Sequence, residues 1–337
     1  MSATLTDEMA MVLSEIRTEA QIIDSYMRQD LEAIQAEVDK FLYEVLDYGL
    51  LGGGKRIRPL LVVLAAKLCG SQEEDAYRLG CAFEYLHAAT LFHDDIIDNA
   101  LLRRGRASVF QKYGLGAAIL AGDFLHALAM STVGRIAGSR GLEIFCEATR
   151  GMVDGEFMQI RNAKRHSLAE ADYYTMIMGK TGLLIRAACE IGALFGGGTD
   201  AEVQAMRRYG THLGYAFQII DDLLDFLGNP TISGKNVGTD LLEGKITLPL
   251  LLAMQSAGPG QQQKIVELIT AFQKEQTGIQ DVCDLINRYD GFSRARQKAE
   301  EAAAKALTAL LIFDDEQVAR ERRILSGLVK YVLARQK

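Results

Sequence analysis

FEYLHAATLFHDDIID (residues 83–98) and YAFQIIDDLLD (residues 215–225) both end in the pattern D-D-x-x-D. Each runs through apolar residues at helical spacing before three carboxylates arrive within five positions, where like charges repel. On an α-helix the first and last Asp of each triplet are i,i+4 neighbours, about 5–6 Å apart on one face. Two such faces turned toward each other would make a cage of hard oxygen ligands, the donor type that suits Mg²⁺. The pattern implies a magnesium-dependent enzyme acting on a polyphosphate.

Outward from these stretches, helical periodicity dominates and no succession of alternating strands follows. Residues 9–47 read as amphipathic helix broken near Arg28–Asp30, and Gly49–Gly54 interrupts it. Pro59 suits the first turn of a new helix that stops at Gly70. Capping boxes, Ser71-x-x-Glu74 and Thr199-x-x-Glu202, open the two motif helices, and Gly228-Asn229-Pro230 closes the second. At 1.5 Å per residue each would span about 40 Å, and two parallel central helices delivering carboxylates at the same end is the economical arrangement. Residues 116–134, 141–163 and 170–195 also read as helix, with an irregular point at Gly179–Gly182. The expectation is an all-α fold: a single-domain bundle of long helices around a central substrate cavity, spanning residues 1–337, with 1–8 disordered.

Composition narrows the class. The 337 residues exceed the usual single-core size, which large all-helical domains reach, and four prolines leave room for long helices. A formal charge of −7 argues against a nucleic-acid surface. Basic residues gather locally instead, at Lys55–Arg58, Arg103–Arg106, Arg161–Arg165 and Lys235–Lys245, so anion binding is focused in a site. Five scattered cysteines without C-x-x-C pairing fit reduced thiols, with no zinc site or disulfide framework. The acidic start lacks a signal-peptide core, and no uninterrupted apolar run reaches roughly 18 residues. A cytoplasmic protein without a transmembrane segment is expected.

The basic residues supply the chemistry that the aspartates lack. In Gly52-Gly53-Gly54-Lys55-Arg56-Ile57-Arg58 the glycines let backbone N–H groups approach an anion, while Lys55 and Arg58 offer charge-assisted hydrogen bonds. Arg103-Arg104-Gly105-Arg106 follows the first triplet; Lys235 and Lys245 follow the second. Six aspartates and two diphosphates carry about −12; three Mg²⁺ and six basic groups (Lys55, Arg58, Arg103, Arg104, Lys180, Lys235) carry about +12. That balance favours two diphosphate substrates over one.

Together GGGKRIRP (52–59), HAATLFHDDIIDNALLRRG (87–105), GKTGLL (179–184), FQIIDDLLD (217–225) and GKNVGTDLLEGKITLPLL (234–251) resemble the trans-isoprenyl diphosphate synthases, the polyprenyl synthetase family. The resemblance runs in order from about residue 40 to the C-terminus, with long-chain, octaprenyl-like members nearest in pattern. It implies a prenyltransferase, a transferase of alkyl groups other than methyl, condensing isopentenyl diphosphate with an allylic diphosphate. It implies that Asp94 and Asp98 bind two Mg²⁺ ions and Asp221 a third, with Mn²⁺ a possible substitute, while Asp95, Asp222 and Asp225 support them. Arg103, Lys180 and Lys235 would grip the allylic diphosphate, and Lys55, Arg58, His87 and Arg104 the isopentenyl diphosphate, with Lys245 as a further loop cation. Thr181 and Gln218 would turn oxygen atoms toward the allylic cation. A homodimer is implied as well, its product suited to the side chain of a membrane quinone and handed to the membrane.

Product length should depend on the helix turn before Asp94, where Ala89 and Thr90 stand. In the family, aromatics at these places close the product tunnel early, so their absence implies a long all-trans chain. Each isoprene unit adds five carbons, roughly 4 kcal/mol of apolar burial. Phe124, Leu128, Met152 and Phe157 are candidates for the tunnel floor. Four rival readings remain: a farnesyl- or geranylgeranyl-length synthase, a class I terpene cyclase, a catalytically silent homologue, and a di-iron bundle suggested by Glu84-x-x-His87. The cyclase should carry a different second metal motif, the silent homologue should have lost aspartates or clamps, and the di-iron site needs a second E-x-x-H that the sequence lacks.

Overall fold

Few prolines and long amphipathic stretches leave the backbone little option but helix. The computed structural model describes residues 3–162, 169–228, 237–275 and 277–335, with residues 3–8 and Pro259 described by backbone alone. Lys235 and His166 lie outside the described residues. The helices are α1 (Ala3–Ile34), α2 (Lys40–Leu50), α3 (Ile57–Leu68) and α4 (Asp75–Ile97). A two-residue hairpin follows, β1 (Leu102–Arg103) with β2 (Arg106–Ala107), then α5 (Val109–Tyr113) and α6 (Leu115–Asn162). Next come α7 (Glu170–Ile177), a π-helical turn (Met178–Gly182), α8 (Leu183–Phe195) and α9 (Asp200–Leu227). The remainder is α10 (Thr239–Leu242), α11 (Leu248–Ser256), α12 (Pro259–Glu275), α13 (Ile279–Arg288), α14 (Gly291–Ala309) and α15 (Ala319–Ala334). Among the described residues the hairpin is the sole sheet, so the chain is all-α.

Two compact units emerge. One comprises residues 1–147, 187–206 and 312–325; the other comprises 148–186, 207–311 and 326–337. In the first, α3 is buried along most of its length and packs on α4, so closely that a Cβ at Gly80 would meet the Pro59 carbonyl oxygen at 2.9 Å. Phe83 and Phe145 meet edge to face at 5.1 Å, a geometry that aromatic quadrupoles favour. Ile23, Met27 and Leu31 bury the inner face of α1, which packs on α3 and α4. In the second unit, α11 packs on α14, where Gly291 admits the Pro249 carbonyl oxygen at 2.3 Å from the place a Cβ would take.

Several boundaries differ from the sequence expectation. The break expected near Arg28–Asp30 falls instead at residues 35–39, because nothing at 28–30 disrupts a helix, whereas Asp39 caps α2 by accepting the Phe41 N–H at 2.8 Å. The capping box at Thr199 forms: Glu202 accepts the Thr199 N–H at 2.7 Å, and Thr199 accepts the Glu202 N–H at 3.4 Å. Its counterpart at Ser71 does not form. Ser71 accepts from the Glu73 N–H, and the helix starts at Asp75. The backbone is helical from Ala3, where disorder was expected over residues 1–8. Gly138 (φ 66°) divides α6 into the two helices read at 116–134 and 141–163, a conformation only glycine adopts without strain. Contrary to the count of uninterrupted apolar runs, α6 is by length and composition long and apolar enough to cross a membrane.

Candidate active site

The first aspartate triplet sits at the C-terminal end of α4, where helix carbonyls already make the potential negative. Asp98 is the C-cap, its N–H donating to the Asp94 carbonyl at 2.8 Å, so Asp94 and Asp98 stand one turn apart. Asp94 is half-buried and Asp98 exposed. Asp95 points elsewhere and is buried. Arg103 donates from Nε to both its oxygens, at 2.7 and 2.9 Å, and its second terminal nitrogen lies 2.6 Å away. The clamp expected to grip a diphosphate thus holds Asp95 in this structure, with the guanidinium still one-third exposed.

A tight hairpin aims these arginines. Arg103 pairs with Arg106 across a two-residue turn in which Arg104 (φ 52°) and Gly105 (φ 75°) are both left-handed, the type I′ geometry. Tyr48 of α2 donates to the Ala107 carbonyl at 2.8 Å and lies under the Arg106 guanidinium, 4.3 Å from the ring centre. A pocket opens here, lined by Tyr48, Gly52, Phe92, Asp95, Arg103, Arg104 and Arg106. Gly54 gives Arg104 room, since a Cβ there would come within 3.1 Å of its guanidinium. Lys55 is exposed and Arg58 half-buried. His87 is held well below the usual imidazole range, first by burial, then by Arg58, Arg104, Arg103 and Arg56. Arg56 is balanced by Asp24 and Glu84 and Arg103 by Asp95, so Arg58 and Arg104 beside the neutral imidazole make the anion-seeking part of this corner. Glu84 is committed to Arg56 at 2.6 Å, which removes the E-x-x-H pair from any di-iron role.

In the second unit the irregular point read at Gly179–Gly182 is the π turn Met178–Gly182. Such turns re-aim side chains within a continuous helix. Two backbone-to-backbone contacts hold it: a Cβ at Gly155 of α6 would meet the Gly179 Cα at 2.9 Å, and one at Gly214 of α9 the Gly182 Cα at 2.8 Å. One turn beyond each contact lies a partner for the turn's polar residues. Lys180 donates to Gln159 at 3.2 Å and lies 3.7 Å from Glu156; Thr181 donates to the Gln218 carbonyl oxygen at 2.8 Å. Gln218 in turn donates to Asp222 at 3.0 Å, and buried Tyr173 donates to the same carboxyl at 2.6 Å. Gly155→Ala is expected to lower turnover about tenfold or more through overpacking worth about 1–3 kcal/mol against unyielding backbone. Gly151→Ala, whose Cβ would meet only the end of the Leu183 side chain, should stay near wild type in the same kinetic assay.

The second triplet divides its labour similarly. Asp222 is pushed up to about 8 by complete burial, then by Asp240 and, less, by Asp221, while the Tyr173 and Gln218 hydrogen bonds pull it back. Asp221 pairs at 2.6 Å with Arg335, which also stacks over Phe217. Asp225 accepts the Asp240 N–H at 3.3 Å, tying α10 to the end of α9. Lys245 is held locally by Asp240 at 3.3 Å and by Glu243 rather than standing out as a loop cation. Glu156, Gln159, Tyr173 and Arg335 escaped the sequence reading, since no local motif marks them; Asp240 lies within GKNVGTDLLEGKITLPLL, where the resemblance assigns it no role.

The donor set fits Mg²⁺: every candidate ligand is a carboxylate oxygen, and a buried carboxyl raised toward its neutral form signals too little positive charge nearby. Among the described residues no three acidic, His or Cys side chains converge as a ready-made metal cage. Ala89 is buried at 2% exposure, and the Thr90 hydroxyl donates back to the His87 carbonyl at 2.8 Å.

The family model described as polyprenyl synthetase matches residues 39–286, and it spans both aspartate triplets, the arginine hairpin and the π turn. This chain belongs to the polyprenyl synthetase family. The octaprenyl diphosphate synthase of Haemophilus influenzae is 38% identical over 270 residues, 80% of this polyprenyl synthetase and 82% of that protein. Among solved structures, geranylgeranyl pyrophosphate synthetase from Pyrococcus horikoshii superposes with a TM-score of 0.87 at 29% identity, covering 97% of this chain and 99% of that one. A decaprenyl diphosphate synthase from Rhodobacter capsulatus gives 0.85 at 30% identity, covering 98% and 99%. Relatives of both long and short product thus share the fold.

Proposed function

We propose that this polyprenyl synthetase condenses isopentenyl diphosphate head to tail with an allylic diphosphate, building a long all-trans polyprenyl diphosphate. The observation that carries the reading is the corner of Arg58, Arg103 and Arg104 around the neutral His87, beside a helix end bearing Asp94 and Asp98. Lys55, Arg58, His87 and Arg104 bind the isopentenyl diphosphate; Arg103, Lys180 and Lys235 bind the allylic one. Asp94, Asp98 and Asp221 would hold about three Mg²⁺ ions, whose charge would stabilise the departing diphosphate. Arg103 and Lys180 would add charge-assisted donors to the departing diphosphate. Tyr173 and Gln218 keep Asp222 oriented, and Thr181 keeps Gln218 oriented. Apolar helices exclude water from the allylic cation until the isopentenyl double bond attacks. The proton lost in forming the new double bond passes to diphosphate, since the sequence offers no other obvious base. The enzyme acts as a cytoplasmic homodimer that passes its product to the membrane.

The test is direct. Purified protein with Mg²⁺, isopentenyl diphosphate and farnesyl diphosphate should yield polyprenyl products longer than farnesyl, and chelation of the metal should stop them. Product release from the allylic diphosphate alone would instead establish a cyclase. No incorporation of isopentenyl units would overturn the proposal.

A further inference from the structure

Arg56 stands between Lys55 and Arg58 yet behaves differently from both. It is 4% exposed, and all three of its guanidinium nitrogens are engaged: Nε with Asp24 at 2.7 Å, one terminal nitrogen with Glu84 at 2.6 Å, the other with the Leu50 carbonyl at 2.9 Å. Those acceptors come from three elements, α1, α4 and the end of α2. Its backbone is left-handed (φ 49°), a strained state for a residue with a Cβ that persists where the surroundings over-determine it. Burial alone would draw the guanidinium down, and Glu84 and Asp24 more than offset that.

We infer that Arg56 is a positioning residue for the isopentenyl diphosphate pocket. It locks the Gly52–Pro59 turn so that Lys55 and Arg58 keep their aim, and it does not itself touch the diphosphate. The inference rests on the proposed function for the identity of the ligand. Charge supports the division of roles. Asp24, Arg56 and Glu84 together carry about −1, so the trio offers a diphosphate no net attraction. The fork of Arg56 is also what three divergent acceptors require; an ammonium is a point charge and cannot span them. Glu84 lies one helical turn before His87, so the same carboxylate ties the turn to the helix that carries the pocket's imidazole. Asp24 brings α1, remote in sequence from every motif, into the pocket's support.

Arg56→Lys and Asp24→Asn should be compared with wild type for kcat, for the two substrates' KM values and, by calorimetry, for isopentenyl diphosphate binding. Arg56→Lys should raise KM and Kd for isopentenyl diphosphate about ten- to a hundredfold, with kcat at saturation within about threefold and the allylic KM unchanged. Asp24→Asn leaves the Arg56 charge in place and should shift the same two constants in the same direction by about three- to tenfold. It carries the test alone if Arg56→Lys fails to fold. A fall in Tm with both KM values unmoved, or moving together, would reduce Arg56 to a structural residue and overturn the inference. So would a response to Arg56→Lys with none to Asp24→Asn, which would make Arg56 a direct ligand. Wild-type protein that neither binds nor consumes isopentenyl diphosphate would instead overturn the proposed function, and this inference with it.

Discussion

Asp94→Ala and Asp221→Ala should each lower the condensation rate by about two to three orders of magnitude while leaving the helical fold intact. The magnitude follows from the reaction. Breaking a C–O bond to an allylic carbon depends on stabilising the diphosphate that leaves, and losing one preorganised electrostatic partner typically costs about 10²–10³ in rate. Neither side chain is deeply buried, and the Asp98 N–H bonds the Asp94 backbone, which alanine retains. Removing a carboxylate from the negative end of α4 relieves repulsion rather than creating a cavity. Asp221→Ala also takes away the partner of Arg335, so a small loss of Tm is expected there. Asp95 makes the informative contrast. Its carboxylate is buried under the Arg103 fork, and its removal should destabilise the protein by about 1.5–3 kcal/mol through the lost charge-assisted hydrogen bonds, less whatever water returns to the one-third-exposed Arg103. Circular dichroism with Mg²⁺-dependent kinetics separates these outcomes, and near-normal turnover of Asp94→Ala would refute its role as a metal ligand.

What the sequence made legible was what local chemistry determines. Thr199 and Glu202 cap α9 because both partners lie within one turn, and the glycines at 179 and 182 mark the π turn because they interrupt an otherwise continuous helix. Ser71 and Glu74 have the same spacing as the first pair, yet the turn closes on Glu73 instead, because local signals compete over a few tenths of a kcal/mol. The hidden part of the candidate site is non-local. Tyr173 and Asp222 are 49 residues apart, Arg56 and Asp24 32, Arg335 and Asp221 more than a hundred, and no spacing rule joins them. Motifs marked the candidate substrate-binding groups; the groups that hold them came only from the fold.

Ala89→Phe should shorten the main product, with the first condensation still proceeding. Ala89 lies on α4 five residues before Asp94, and the structure sharpens the reason its size matters. At 2% exposure the methyl group is already enclosed, so the six added ring carbons have no solvent to enter. They must displace packed neighbours, at about 1–3 kcal/mol, or take up volume that the growing chain would use. Thr90, beside it, has its hydroxyl committed to the His87 carbonyl. A chain stopped there loses roughly 4 kcal/mol of apolar burial for each isoprene unit it cannot place, enough to shift the product distribution by several units. The diphosphate end is unaffected, because Asp94 and Asp98 lie more than one turn on, the arginines are on other elements, and His87, two residues before, does not share a helix face with Ala89. Chromatography of the dephosphorylated products reads the result. Normal chain length at normal rate would show that Ala89 does not border the product, and the limit would then have to be sought elsewhere in the fold.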